Sequence, residues 1–212
     1  EVFLQLAEYN RDTVETHLAL GNLFRRRGEV DRAIRVHQNL IARPSLSDEE
    51  KTVALLELGE DYMRAGLLDR AETLFTDLVA MDALAPVALN HLVAIYQHER
   101  DWNKAIDIAR KLEAATGESQ GASIAQFYCE LAEQARSRKA WAEARGFLDE
   151  ACAAEGDCVR ASMILGHIEA SNGNPDAAIA AFEHVAERDV DYVPEILSPL
   201  LICCARSVRP NV

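Results

Sequence analysis

Leu-Gly recurs along this chain as Leu20-Gly21, Leu58-Gly59 and Leu165-Gly166, and an alanine follows twelve residues after each glycine, at Ala33, Ala71 and Ala178. Two weaker copies fit the same frame, one marked by Val93, Tyr96 and Ala105, the other by Ala132, Ala135 and Ala144. Successive marker alanines, Ala33, Ala71, Ala105, Ala144 and Ala178, stand 38, 34, 39 and 34 residues apart. An internal period of this size commits a chain to stacked supersecondary units, none able to bury its apolar face alone.

The residue types define the unit. Two helices in a hairpin approach closely only where side chains are small, and the glycines supply that on a first helix, the alanines on a second. Larger residues are expected to fill the seam: Phe24 with Leu40, Tyr62 with Phe75 and Leu78, Tyr96 with Leu112, Phe182 with Val185. Gly28, Gly66 and Gly173 stand where a helix C-terminus favours the left-handed conformation. Asp31, Asp69 and Asp176 follow in the first turn of the next helix, against the positive end of its dipole. Asn174-Pro175 reads as an N-cap followed by proline at the first helical position. In copies three and four Arg100 and Lys139 replace the turn glycine, while Trp102 and Trp141 are expected to pin the turn from its apolar side. A base period of 34 with two insertions is the tetratricopeptide signature. The predicted fold is all-α, a tetratricopeptide-repeat α-solenoid: a right-handed superhelix of antiparallel helix hairpins.

This predicts one repeat domain over residues 1–206. Residues 1–11 read as the second helix of a truncated hairpin, hairpins follow at about 13–44, 48–83, 86–116, 123–156 and 159–190, and residues 193–206 begin a sixth. Residues 207–212 read as an irregular, disordered tail. The insertions fall at Arg43 to Glu50 and Thr116 to Ser123, and Ser47 with Glu50 has capping-box spacing. The last hairpin leaves an unsatisfied open face, which makes dimerisation through the ends one possibility.

Charge excludes one class of partner. Lys and Arg number 22 against 35 Asp and Glu, a net charge of −13, which repels a phosphate backbone, so no nucleic-acid partner is expected. Five cysteines, Cys129, Cys152, Cys158, Cys203 and Cys204, are an odd set in a chain too long to need disulfide staples, and they point to a reducing compartment. Most are expected to be buried small hydrophobes, with Cys129 open to the groove. No apolar run approaches the length needed to cross a bilayer, so the chain is expected to be soluble, and its start at Glu1 reads as a fragment of a longer protein.

Nothing in the residue pattern carries catalysis. His17, His37, His91, His98, His167 and His184 form no metalloprotease pair, and no cysteine pair has the spacing of a zinc ribbon. His91 and His98 share a helix face seven residues apart and read as polar groove residues rather than metal ligands. With no strand-to-helix turn for a nucleophile and no Gly-rich phosphate loop, neither an active site nor a cofactor or metal site is expected in this chain.

The inner face of a helical solenoid, lined by successive first helices, is where partners are held. Positions pointing away from the second helix give Asn22, Arg25 and Arg26 in copy one, with Glu15. Copy two gives Glu57, Glu60 and Arg64, and copy three Asn90, His91, Gln97 and His98. Copy four gives Glu133 and Arg136, with Gln126 and Glu130, and copy five Arg160 and His167, with Met163. Asn22 and Arg26 match part of the clamp by which some tetratricopeptide co-chaperones hold a C-terminal carboxylate. That clamp needs a basic residue where Leu18 stands and an asparagine where Glu57 stands, which argues against it.

Beyond the repeat, three runs carry a narrower likeness: His17-Leu18-Ala19-Leu20-Gly21-Asn22-Leu23-Phe24-Arg25, Gly28-Glu29-Val30-Asp31-Arg32-Ala33-Ile34-Arg35 and Gln126-Phe127-Tyr128-Cys129-Glu130-Leu131-Ala132. With Asp61-Tyr62-Met63, Ala65-Gly66-Leu67, Asp69-Arg70-Ala71-Glu72 and Trp102-Asn103-Lys104-Ala105-Ile106-Asp107, over about residues 1–200, the chain resembles the lipopolysaccharide assembly protein B family of Gram-negative bacteria. The resemblance implies an inner-membrane protein with an N-terminal membrane helix, cytoplasmic repeats and a C-terminal rubredoxin-like knuckle holding iron or zinc. It further implies a non-catalytic adaptor on the cytoplasmic face of the membrane that restrains lipopolysaccharide synthesis by helping the membrane protease FtsH degrade the deacetylase LpxC. The alternative is a general scaffold that assembles lipopolysaccharide synthesis and transport proteins at the inner membrane. On this reading the chain is the middle of such a protein, lacking both anchor and knuckle, and departs from the family after Cys204.

Overall fold

A computed structural model describes residues 13–207, and the expected helix at 1–11 and the last five residues of the expected tail lie outside that range. Each copy of the repeat folds as two helices. In chain order these are α1 Val14–Arg26, α2 Val30–Ile41, α3 Asp48–Arg64, α4 Leu68–Ala80, α5 Ala85–Glu99, α6 Trp102–Thr116, α7 Gly121–Ser137, α8 Trp141–Ala154, α9 Val159–Ser171, α10 Pro175–Arg188 and α11 Val193–Ser207, with a 3-10 turn at Val190–Tyr192 before the last. No strand occurs among the described residues.

Two compact units emerge. The first holds residues 13–100 with Ala114–Thr116, the second Asp101–Glu113 with residues 117–207. In the first, α1 packs on α2, α2 on α3, α3 on α4 and α4 on α5, with α1 also touching α3. In the second, α7 packs on α8, α9 on α10 and α10 on α11, with α7 and α8 both reaching α9.

Small residues set these contacts, and the sharpest case is the glycine of the first helix. A Cβ on Gly59 would stand 2.6 Å from the Phe75 ring, and one on Gly166 would stand 2.5 Å from the Phe182 ring. In the first hairpin the same place over Gly21 is taken by the imidazole of His37. The nesting partner of each glycine is therefore a ring sixteen residues later, beyond the marker alanines. Those alanines, Ala33, Ala71, Ala105, Ala144 and Ala178, are all fully buried.

The turns follow the repeat with two substitutions. Gly28, Gly66 and Gly173 adopt φ of 79°, 74° and 81°, while Arg100 and Lys139 take 58° and 60° at the same point of the motif. These two non-glycine residues accept a left-handed backbone that costs on the order of 1–2 kcal/mol each. Trp102 stacks on Phe127 at 6.0 Å and Trp141 packs on the core of the second unit, and both side chains are half-buried. Phe24 is only half-buried and carries the Arg32 guanidinium 3.9 Å over its ring, a surface role beside its expected place in the seam.

The capping box at Ser47 forms with both of its arms. Asn174 does occupy an N-cap position with Pro175 after it, but its side chain makes no cap hydrogen bond and donates instead to Glu169 at 2.9 Å. Pro199 lies inside α11 without ending it, and Leu197, Leu201 and Ile202 on that helix are exposed.

Candidate functional site

In the first unit four of the candidate residues, Arg25, Glu57, Glu60 and His91, meet in one polar junction. Arg25 leaves α1 and reaches α3, where its two terminal nitrogens donate to Glu57 Oε2 at 2.7 Å, Asp61 Oδ1 at 2.9 Å and the Glu57 carbonyl at 3.1 Å. Glu60 Oε2 lies 2.8 Å from the same guanidinium. Asp61 is completely buried, and its second oxygen accepts from Nδ1 of the equally buried His37 at 2.6 Å. Glu60 extends the polar network to His91 on α5, 3.3 Å away, and the His91 ring stacks on Phe75 at 4.7 Å.

Electrostatics favour the charged forms of Arg25 and Glu60. Burial works against the Arg25 charge, but the hydrogen bonds to Glu57 and Asp61 outweigh it, and its pKa is raised. The hydrogen bond from His91, aided by the Arg25 charge, holds the Glu60 carboxyl below its ordinary value despite burial. Arg25 is thus held inside the contact between two hairpins, with 16% of its side chain exposed, and is not an open groove cation.

Above this junction lies an open cleft of about 660 Å³ lined by Arg25, Arg26, Glu60, Met63, Arg64 and His91. Arg26 and Arg64 are exposed and make no ion pair among the described residues, and they flank the thioether of Met63 in the cleft. Of the other residues read from the sequence, Asn90 is exposed and turns its amide onto the Pro86 carbonyl at 3.0 Å. Gln97 and His98 are exposed further along α5 and do not line the cleft. Asn22 is half-buried, with its side-chain oxygen unpartnered among the described residues.

The second unit brings together a different and self-neutralised set. Arg160 on α9 pairs with Glu130 on α7 at 2.6 Å, and Glu133 pairs with Arg136 one turn along α7 at 2.7 Å. His167 is half-buried, edge-on to Phe182 at 5.2 Å. Burial, followed by the Arg136 charge, depresses its pKa, with Glu133 acting the other way.

Cysteine placement departs from expectation. Cys129 is fully buried rather than open to a groove, Cys203 is buried, Cys158 and Cys204 are partly exposed, and Cys152 is exposed. Among the described residues no group of three or more His, Cys, Asp or Glu side chains is placed to hold a metal. No helix among them is long and apolar enough to cross a membrane.

The sequence reading passed over Asp61 and His37, although a signal existed. Asp61 stands two residues after Gly59, where the other Leu-Gly copies carry Leu23 and Ile168, and His37 stands where they carry Phe75 and Phe182. Two polar departures from the repeat, one in each of two neighbouring copies, meet in space.

Helical hairpins nested through glycine and alanine, in copy after copy of one motif, define a repeat scaffold. The chain belongs to the tetratricopeptide-repeat family, which it matches over residues 16–51, 56–120 and 130–190. It is 40% identical over 203 residues to lipopolysaccharide assembly protein B of Escherichia coli K12, covering 96% of this chain and 52% of that protein. The Haemophilus influenzae protein of the same name is 41% identical over 189 residues, covering 89% and 48% respectively. The chain therefore spans about half the length of the curated relatives it matches. Of solved structures, the MamA protein superposes with a TM-score of 0.54 at 21% identity, over 85% of this chain and 94% of that one. A MamA from Desulfovibrio magneticus RS-1 gives 0.52 at 16%, over 83% and 94%. At that identity the likeness is one of fold alone.

Proposed function

We propose that this chain is the tetratricopeptide part of a non-catalytic adaptor in lipopolysaccharide assembly, acting at the cytoplasmic face of the inner membrane. On this reading it brings the deacetylase LpxC to the membrane protease FtsH. Its contribution is effective concentration: two proteins held on one scaffold meet far more often than free ones, with no new chemistry needed. The membrane helix and the iron- or zinc-holding knuckle belong to this reading as parts of the full-length protein.

The observation that carries it is the cleft of the first unit. In a chain of net charge −13, two exposed arginines that make no ion pair among the described residues stand together with Met63 between neighbouring helices. Desolvated Arg contacts are where binding energy concentrates in protein interfaces, and a thioether adapts to varied apolar side chains. Support for the pathway comes from the relatives' name. Because they are named for assembly, a general scaffold for lipopolysaccharide synthesis and transport proteins is the second reading.

The test replaces Arg26 and Arg64 by Glu in the full-length protein and measures both association with LpxC and its turnover. Arg25 is left intact, because reversing a charge buried between hairpins would damage the fold as well as the cleft. Weakened association and slower turnover are expected. Unchanged values for both would remove this cleft as the docking site, and crosslinking that captured transport components without any protease would favour the second reading.

A further inference from the structure

Cys129 on α7 and Cys158 at the N-cap of α9 place their sulfurs 3.8 Å apart, at contact distance, although 29 residues separate them in the chain. Cys129 has no exposure, whereas Cys158 is partly open to solvent. One buried thiol thus lies directly behind one accessible thiol, across a contact between two hairpins of the second unit. We propose that Cys158 is a peroxide-reactive thiol with Cys129 as its resolving partner, and that the two close reversibly into a disulfide tying α7 to α9.

The surroundings favour a thiolate at Cys158. Its hydrogen-bond contact with the Cys129 thiol and the backbone N–H groups of Ala161 and Arg160, at the positive end of a helix, favour the anion. Together they outweigh burial and the Glu155 charge and hold the Cys158 thiol down to about 6. The same hydrogen bond, with burial, pushes Cys129 up, as expected of a thiol kept protonated until it is needed. The exposed Cys152 is pushed up by burial of its sulfur and by the nearby Cys158 and Asp149, so exposure and thiolate character do not coincide there. They coincide at Cys158, and reactivity follows both.

The chemistry balances with a hydroperoxide as oxidant. The Cys158 thiolate attacks one oxygen of hydrogen peroxide, an S–O bond forms as the O–O bond breaks, and the departing hydroxide takes a proton to become water. Cys129 then gives up its proton and its sulfur attacks the Cys158 sulfur, expelling the hydroxyl as a second water. Two thiols lose two electrons in total, and one peroxide becomes two waters. A small dithiol reverses the bond by exchange. The bridge would span the same two helices as the Arg160–Glu130 ion pair, so oxidation clamps that junction covalently.

The test treats the full chain with hydrogen peroxide near neutral pH, alkylates the remaining thiols and maps the peptides by mass spectrometry. The expected product has lost two hydrogens, links the peptides carrying Cys129 and Cys158, and reverts with dithiothreitol. Cys129→Ala should accumulate a sulfenic acid at Cys158, trapped by dimedone, with no internal disulfide. Cys158→Ser should react roughly tenfold or more slowly. Oxidation beginning at Cys152 or Cys204, a disulfide between any other pair, or both thiols surviving excess peroxide would overturn the proposal. Because Cys129→Ala could loosen the core, the unsubstituted chain and Cys158→Ser decide the matter. None of these readouts involves a binding partner, so the result stands apart from the adaptor reading.

Discussion

Nδ1 of His37 lies 2.6 Å from Oδ2 of Asp61, and neither side chain reaches solvent. The two residues come from successive copies of the repeat, and Arg25 completes the group from the other side of the carboxylate at 2.9 Å. Polar groups buried in this way cost more when broken singly than when replaced together.

That asymmetry gives the first prediction. Asp61→Leu strands His37, and His37→Phe strands one oxygen of Asp61, so each single change should destabilise the chain by about 2–4 kcal/mol in denaturant unfolding. The double change installs the residue types that the other copies carry, a phenyl ring over Gly21 beside an aliphatic residue, and should recover most of that loss. A double-mutant cycle measures the coupling, and strictly additive losses would show that the two residues do not act as a pair.

Acid should weaken the fold in two windows. Glu169 accepts from Arg145 at 2.7 Å and from Asn174 at 2.9 Å, and the Arg145 hydrogen bond above all holds its carboxyl below the ordinary value of 4.5 despite burial. Between the two values the unfolded chain binds the proton and the folded chain does not, so this stability is present above 4.5 and is lost as pH falls through the folded value. His167 is depressed by burial from 6.5, so from that pH downward the unfolded imidazole charges first and stability again falls. Unfolding measured against pH should lose slope in the lower window with Glu169→Gln and in the upper one with His167→Gln.

Arg100 and Lys139 carry a positive φ that glycine takes without steric cost. Arg100→Gly and Lys139→Gly should each raise stability by about 0.5–1 kcal/mol, the relief of backbone strain exceeding the added freedom of the unfolded chain. Thermal unfolding reads this directly, and a drop in Tm would mean that their side chains contribute more than the strain costs.

Gly59→Ala and Gly166→Ala test the nesting of rings on glycine. A Cβ 2.6 or 2.5 Å from a buried phenylalanine forces the ring or the helix to shift, costing about 1–3 kcal/mol. Pairing Gly59→Ala with Phe75→Leu should restore part of the loss, since the shorter side chain vacates the contested space.

The hairpins themselves were open to reading because their signals are local and repeated. A glycine, an alanine twelve residues later and a second glycine at the turn specify a close approach and a chain reversal without reference to anything distant. The site was legible only in part. Arg25 and Arg26 are neighbours with the same chemistry on one helix, yet one is consumed by carboxylates 32 to 36 residues away and the other finds no ion-pair partner among the described residues. Periodicity chooses a helix face but does not say which charges on it find partners in the next copy. The Cys129 and Cys158 pair was hidden for the same reason, its members lying in different hairpins with nothing in their spacing to connect them.

Arrays of near-identical units run a particular danger while folding, because each hairpin offers its neighbours almost the same surface and can latch onto the wrong one. The His37 and Asp61 pair works as a key cut for a single lock. Docked against a copy with Phe75 or Phe182 in the ring position, α3 would trap a carboxylate beside a phenyl group with nothing to accept from. The first two copies are thereby marked as successive, and their order in the array cannot be shuffled without breaking that mark.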